Sequence, residues 1–167
     1  AVSLPAERVS LHQRELNDVL QGSGVNEFKW NDLRSARHRM AAEKVIKYFL
    51  DEMLPNGARL DAIIWDTHDF RHTVHGRDDI KNYERMYFHL HRHLMRLREA
   101  GSSWHLRPDE RLDINWKTIS SCLNSPGTWQ KYLDSLFLDK TFCTHFCQVK
   151  TLREVVSKNT PLCQLAD

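Results

Sequence analysis

Segments with different hydrophobic periods alternate along this chain, and that alternation limits the folds open to it. The apolar run Leu60-Asp61-Ala62-Ile63-Ile64-Trp65 lies between two stretches with helical spacing. Ahead of it, Ala42, Val45, Phe49 and Met53 place a stripe on one face of a helix that Ser35 can cap and that runs to about Leu54. Pro55-Asn56-Gly57 stops that helix. Behind the run, Tyr83, Tyr87, Leu90, Leu94 and Leu97 define the clearest amphipathic helix of the chain, closed by Gly101. The run itself is too short for a helix of its own and apolar enough at its end to lie as a strand inside a sheet.

The remaining segments extend the pattern. Pro5 suits a first helical turn, and Ala6 to Gln21 reads as a helix ended by Gly22-Ser23-Gly24, its apolar positions limited to Val9, Leu16, Val19 and Leu20. Val25 to Trp30 reads as a short extended segment, and Asp66 to Asp79 as a His-rich loop. Trp104 to Arg107 is a short strand stopped by Pro108. Helical signals return over Trp116 to Leu123 and Trp129 to Leu136, on either side of Ser125-Pro126-Gly127. Phe142 to Val149 has β character and leads to Val155-Val156, after which Pro161 opens a last helix. No internal repeat or low-complexity tract is present. Strands separated by helices predict one α/β domain over residues 1–167 with at least partly parallel pairing.

Composition excludes several classes. With 41% hydrophobic and 28% charged residues in 167, the chain can bury a core and is not of the disordered type. No run of about 18 apolar residues exists, so no transmembrane helix and no membrane partner is expected. Ala1-Val2-Ser3-Leu4-Pro5 lacks the basic flank and apolar stretch of a secretory signal. Cys122, Cys143, Cys147 and Cys163 have no disulfide-framework spacing, which predicts reduced, mostly buried thiols in a cytoplasmic protein. The net charge of +2 does not advertise nucleic-acid binding, but only a local patch has to be positive.

Four acids stand at element boundaries: Glu27 in Glu27-Phe28-Lys29-Trp30, Asp66 after Ile63-Ile64-Trp65, Asp109 in Arg107-Pro108-Asp109-Glu110-Arg111, and Asp167 at the end of Pro161-Leu162-Cys163-Gln164-Leu165-Ala166-Asp167. Each alone is an ordinary solvated turn residue. Together, in this order, they resemble a bacterial ribonuclease-H-like family known as domain of unknown function number thirty-eight hundred. Glu27-Phe28-Lys29-Trp30 is similar to that family's Glu-x-Lys-Trp segment, and Ala62 to Asp66 to its central strand ending in Asp. The stretch from Ser157-Lys158 through Pro161-Leu162 to Gln164-Leu165-Ala166-Asp167 resembles its closing signature, the most specific of the three pieces. The likeness covers roughly Ala1 to Asp167 and is weakest between Asn115 and Thr151.

The resemblance implies a ribonuclease-H-like mixed sheet flanked by helices. The family's opening strand with Asp-Glu-Ser, source of its first metal-binding carboxylate, has no counterpart here. Ala1-Val2-Ser3-Leu4 looks like the end of the following strand, so both ends are expected to be cut, with flanking segments or a protein partner completing the site. Under the resemblance, Glu27 and Asp66 are inner ligands, Asp167 closes the site from the last helix, and Asp109 is a further ligand. Glu27, Asp66 and Asp167 then form the catalytic set. Lys29 and Lys158 would meet phosphate oxygens of DNA or RNA, or else are solvated lysines. Two carboxylates about 5 Å apart repel by about 3 kcal/mol at an effective dielectric near 20, so converging acids need cations. Mg²⁺ or Mn²⁺ suits such oxygen ligands and can activate water against a phosphodiester. The expectation is a metal-dependent nuclease. Its alternative is an inactive ribonuclease-H-like structural or adaptor domain in a larger nucleic-acid-associated or defence assembly, since the fold hosts both.

Other constellations are weaker. His68, His72 and His75 fall in the loop after Asp66, while His89 and His93 share a helix face through i,i+4 spacing and His91 points elsewhere. Cys143-Thr144-His145-Phe146-Cys147 offers zinc-ligand types, but adjacent positions along a strand are awkward for tetrahedral closure. Tyr83, Tyr87 and Phe88 sit on or beside the leucine stripe and are expected in the core rather than against bases. No Gly-x-Ser-x-Gly occurs, and Gly22-Ser23-Gly24 is too short to cradle phosphate.

Overall fold

The computed structural model of the chain describes residues 1–27, 29, 33–64, 66, 68, 78–99, 101–110, 113–125, 147–155 and 160–162. It is a mixed α/β fold in which helices flank two small sheets. The chain divides into two compact units: Ala1–Asp61 with Pro108–Glu110 and Glu154–Asp167, and Ala62–Arg107 with Arg111–Arg153.

The first unit is built on two helices. After Pro5 a 3₁₀ turn, Ala6–Arg8, leads into α1, Val9–Gly22. His12, Leu16 and Leu20, four residues apart, form its buried face. The helix ends in a Schellman motif: Gly24 takes φ 65°, its N–H donates to Gln21 O at 2.8 Å, and Val25 N–H donates to Leu20 O at 3.0 Å. Val25 therefore closes the helix and packs with Leu20 in the core. Among the described residues of the extended segment expected over Val25 to Trp30, Val25 N–H is taken by this turn and no strand forms. Phe28 and Trp30 lie outside the described residues.

The second helix, α2 (Ala36–Tyr48), starts where expected, with Ser35 Oγ accepting from His38 N–H at 3.2 Å. It continues as a π turn, Phe49–Met53. That wider turn keeps Phe49 and Met53 on the same buried side as Ala41, Ala42 and Val45. All four residues of the sequence stripe are in the core. Fully burying a side chain such as Leu16 or Met53 stabilises the fold by about 1.5–3 kcal/mol relative to exposure. Pro161 and Leu162 are helical, and Leu162 packs against this cluster.

The strand expected over Leu60 to Trp65 is much shorter. Two-residue strands β1, Val2–Ser3, and β2, Arg59–Leu60, pair antiparallel, Val2 opposite Leu60 and Ser3 opposite Arg59. Asp61 N–H donates to Ala1 O at 2.9 Å, and there the pairing ends. Beyond it Ile63 is 44% exposed and Ile64 95% exposed. Apolar composition alone could not supply the partner strand that a buried sheet position requires.

In the second unit, Asp78 caps α3, Asp79–Arg96, by accepting from Lys81 N–H at 2.9 Å. Leu90, Leu94 and Met95 are buried, whereas Tyr83 and Leu97, the ends of the sequence stripe, are exposed. Strands β3, Ser103–Leu106, and β4, Gln148–Leu152, pair in parallel, with an irregularity between Trp104 and His105. The helix α4, Trp116–Asn124, is capped by Asn115 and packs on both α3 and β4. Its last residue takes the place of a further strand: Asn124 Nδ2 donates to Val149 O at 3.0 Å and Oδ1 accepts from Val149 N–H at 2.8 Å. The expected helix over Trp129 to Leu136 and the β character of residues 142–146 lie outside the described residues.

Candidate functional site

Each nominated acid is taken in its own surroundings. Glu27 follows the Schellman turn of α1, and its Oε1 stands 3.3 Å from Lys29 Nζ. The carboxylate is half-buried and the ammonium mostly exposed. A lysine ammonium thus stands beside Glu27 in a partly exposed ion pair. Asp66 belongs to the other unit. It is exposed, and its Oδ1 accepts from His68 N–H at 2.9 Å, an Asx turn that begins the loop. Asp109 forms a parallel bridge with Val155, flanked by Val155 N–H to Pro108 O at 2.9 Å and Glu110 N–H to Val155 O at 2.8 Å. Its backbone is a strand position. Asp167 and Lys158 lie outside the described residues.

Among the described residues, no group of three or more His, Cys, Asp and Glu side chains could hold a metal ion. Cys147 is buried and its thiol lies 3.3 Å from Met95 O, a hydrogen bond to backbone rather than a zinc contact. Cys122 is exposed, unlike the buried thiol expected for it. Cys143, His145, Cys163, His72 and His75 fall outside the described residues. Tyr87 and Phe88 pack against the core of the second unit, Tyr87 with its ring 4.7 Å from that of Trp116.

Three histidines are wholly or partly withdrawn from water. His12 is 2% exposed, and its Nδ1 is 2.8 Å from the Tyr48 hydroxyl. Its Nε2 is buried without a hydrogen-bond partner among the described residues. Burial above all, with Arg8 next, lowers its pKa below 6.5. Its four-residue spacing from Leu16 and Leu20 was the available signal. His91 Nδ1 is 2.7 Å from Tyr87 O and its ring meets Trp116 edge-on, with burial pushing its pKa down. His89 is also held below 6.5, by burial first and then by the positive charges of Arg92 and Arg85. Arg92 in turn lies over the Phe88 ring at 5.7 Å.

No protein-family model matches the chain, and no solved structure matches it. It is similar to two proteins of Methanothermobacter thermautotrophicus, the uncharacterized proteins ORF2 and ORF2′, at 33% and 34% identity over 174 aligned residues. The alignments cover 99% of this chain and 57% of each relative, so the chain spans little more than half the length of the proteins it matches.

Proposed function

We propose that this chain is a ribonuclease-H-like structural or adaptor domain of a larger nucleic-acid-associated protein or assembly, rather than a self-sufficient hydrolase. The observation that carries this reading is how the nominated acids are used: Glu27 is neutralised by Lys29, and Asp66 organises its own turn through His68 N–H. Both are local structural roles that need no metal. The length of the two relatives supports a domain within something larger.

The test is thermal denaturation with and without Mn²⁺, in the chain and in its Asp66→Asn variant. The adaptor reading expects a melting temperature indifferent to millimolar Mn²⁺ in both. A rise of several degrees that Asp66→Asn abolishes would restore the metal-dependent nuclease, because an ion bound only to the folded state stabilises it by mass action.

A further inference from the structure

The outward side of α3 carries a row of basic side chains, four of them Lys or Arg. Lys81, Arg85, His89, Arg92 and Arg96 follow one another at steps of four, four, three and four residues, which places them on a single stripe, with His93 beside it. All are exposed except Arg92, which is half-buried. The row runs about 22 Å along the helix at a rise of about 1.5 Å per residue. Leu90, Leu94 and Met95 face the other way, into the protein. The interior acid of the helix, Glu84, is turned aside and accepts from Asn115 N–H at 2.8 Å.

Around His89, midway along the row, the neighbouring charges are positive. The charges acting on His89 are those of Arg92 and Arg85, both opposing its protonation. Arg92 is steadied over Phe88, so one guanidinium of the row is presented with little freedom left to lose. Successive basic residues about 4.5–6 Å apart along the axis are of the order of the spacing between phosphates along a strand. A membrane surface would call for apolar side chains inserted beside the cations. The exposed apolar residues of α3, Ile80, Tyr83 and Leu97, lie off the row.

We infer that the outer face of α3 binds the phosphodiester backbone of nucleic acid, without reading its bases. The inference rests on the adaptor reading only in expecting the bound strand to stay intact; the row itself is independent of the carboxylates. With cations and no free aromatic on the stripe, binding is electrostatic and indifferent to base sequence.

The experiment is fluorescence anisotropy with labelled 20-base-pair DNA and RNA duplexes of two sequences, and with a single strand, from 50 to 200 mM salt. Vesicles containing phosphatidylserine serve as the membrane arm. Binding to at least one nucleic-acid probe is expected, indifferent to sequence, with affinity falling steeply as salt rises. Replacing Arg85 and Arg92 by Gln removes two phosphate contacts, which lowers the slope of log K against log salt by about 1.8 and weakens duplex binding roughly 10- to 100-fold. Because Arg92 packs over Phe88, Arg85→Gln alone is read beside it, with melting temperature as the control for folding. A weaker affinity and a slope lower by about 0.9 are expected from this single variant, with the fold intact. An unchanged affinity and slope in the folded variants, no binding by the wild-type chain at 50 mM salt, or a preference for the vesicles would each overturn the inference. Mn²⁺-dependent cleavage of a bound duplex would instead sink the adaptor reading and leave the row as the binding face.

Discussion

Buried in the first unit, His12 occupies a place on the α1 stripe that an aliphatic side chain would fill without needing a polar partner. Only one of its nitrogens has one, the Tyr48 hydroxyl, so charging the ring would put an uncompensated cation in the core. Glu52 and Glu15 favour the charged form, but burial and Arg8 outweigh them. A lowered folded-state pKa means the unfolded chain takes up the proton first as pH falls. Stability is therefore complete above about pH 6.5 and declines below it, toward the folded-state value. His89 and His91 shift the same way and add to the decline. Melting temperature should be level above pH 7 and drop between pH 6.5 and 5. His12→Asn keeps a polar atom near Tyr48 but cannot titrate; it should flatten part of that drop while costing about 1–2 kcal/mol at pH 7. A pH profile identical to wild type would show that His12 carries none of it.

Helix boundaries in this chain are set by single residues. Gly24 holds the left-handed conformation that ends α1, and a Cβ there would meet Arg37 Cδ at an ordinary 3.7 Å. The cost of Gly24→Ala is therefore conformational, about 1–2 kcal/mol in urea unfolding. Ser35→Ala, which deprives His38 N–H of its acceptor, should cost about 1 kcal/mol. Cost-free substitution at both would mean that α1 and α2 are ended by packing, not by their caps. These local signals make helix ends legible in the sequence: Gly22-Ser23-Gly24 and Ser35 are each a few bonds from the helix they bound, whereas α3 ends at Arg96 with Leu97 as its cap, ahead of the Gly101 expected to close it. The leucine stripe of α3 was legible for the same reason. Its row of basic side chains is equally present in the spacing of Lys81, Arg85, His89, Arg92 and Arg96. Extended structure was harder. Val25 reads as the start of an extended segment because its use by the preceding turn depends on a left-handed Gly24, and Ile63 and Ile64 look buried until pairing runs out at Asp61.

Among the described residues of the whole chain two hydrophobic clusters share no residue, one around Leu16, Val45 and Met53 and the other around Met95, Ile119 and Leu123. Leu16→Ala and Leu123→Ala each open a cavity at a site 1% or less exposed, at a cost of about 2–5 kcal/mol. Hydrogen exchange should then quicken mainly in the unit that holds the substitution, because neighbours in one cluster lose packing together. Equal loss of protection in both units would mark a single cooperative core. Among the described residues no helix is long and apolar enough to cross a membrane.

By itself the sequence determined the alternation of helices and short extended segments, the buried stripe of α2 and most of that of α3, and several of the residues that end helices, because each of these depends on neighbours within a turn or two. Tertiary structure decided which apolar run finds a strand to pair with, that Asn124 completes the edge of β4, that Lys29 neutralises Glu27, and that Asp66 serves its own loop. Those outcomes depend on which groups meet and on which of a side chain's possible partners it takes, and periodicity carries information about neither.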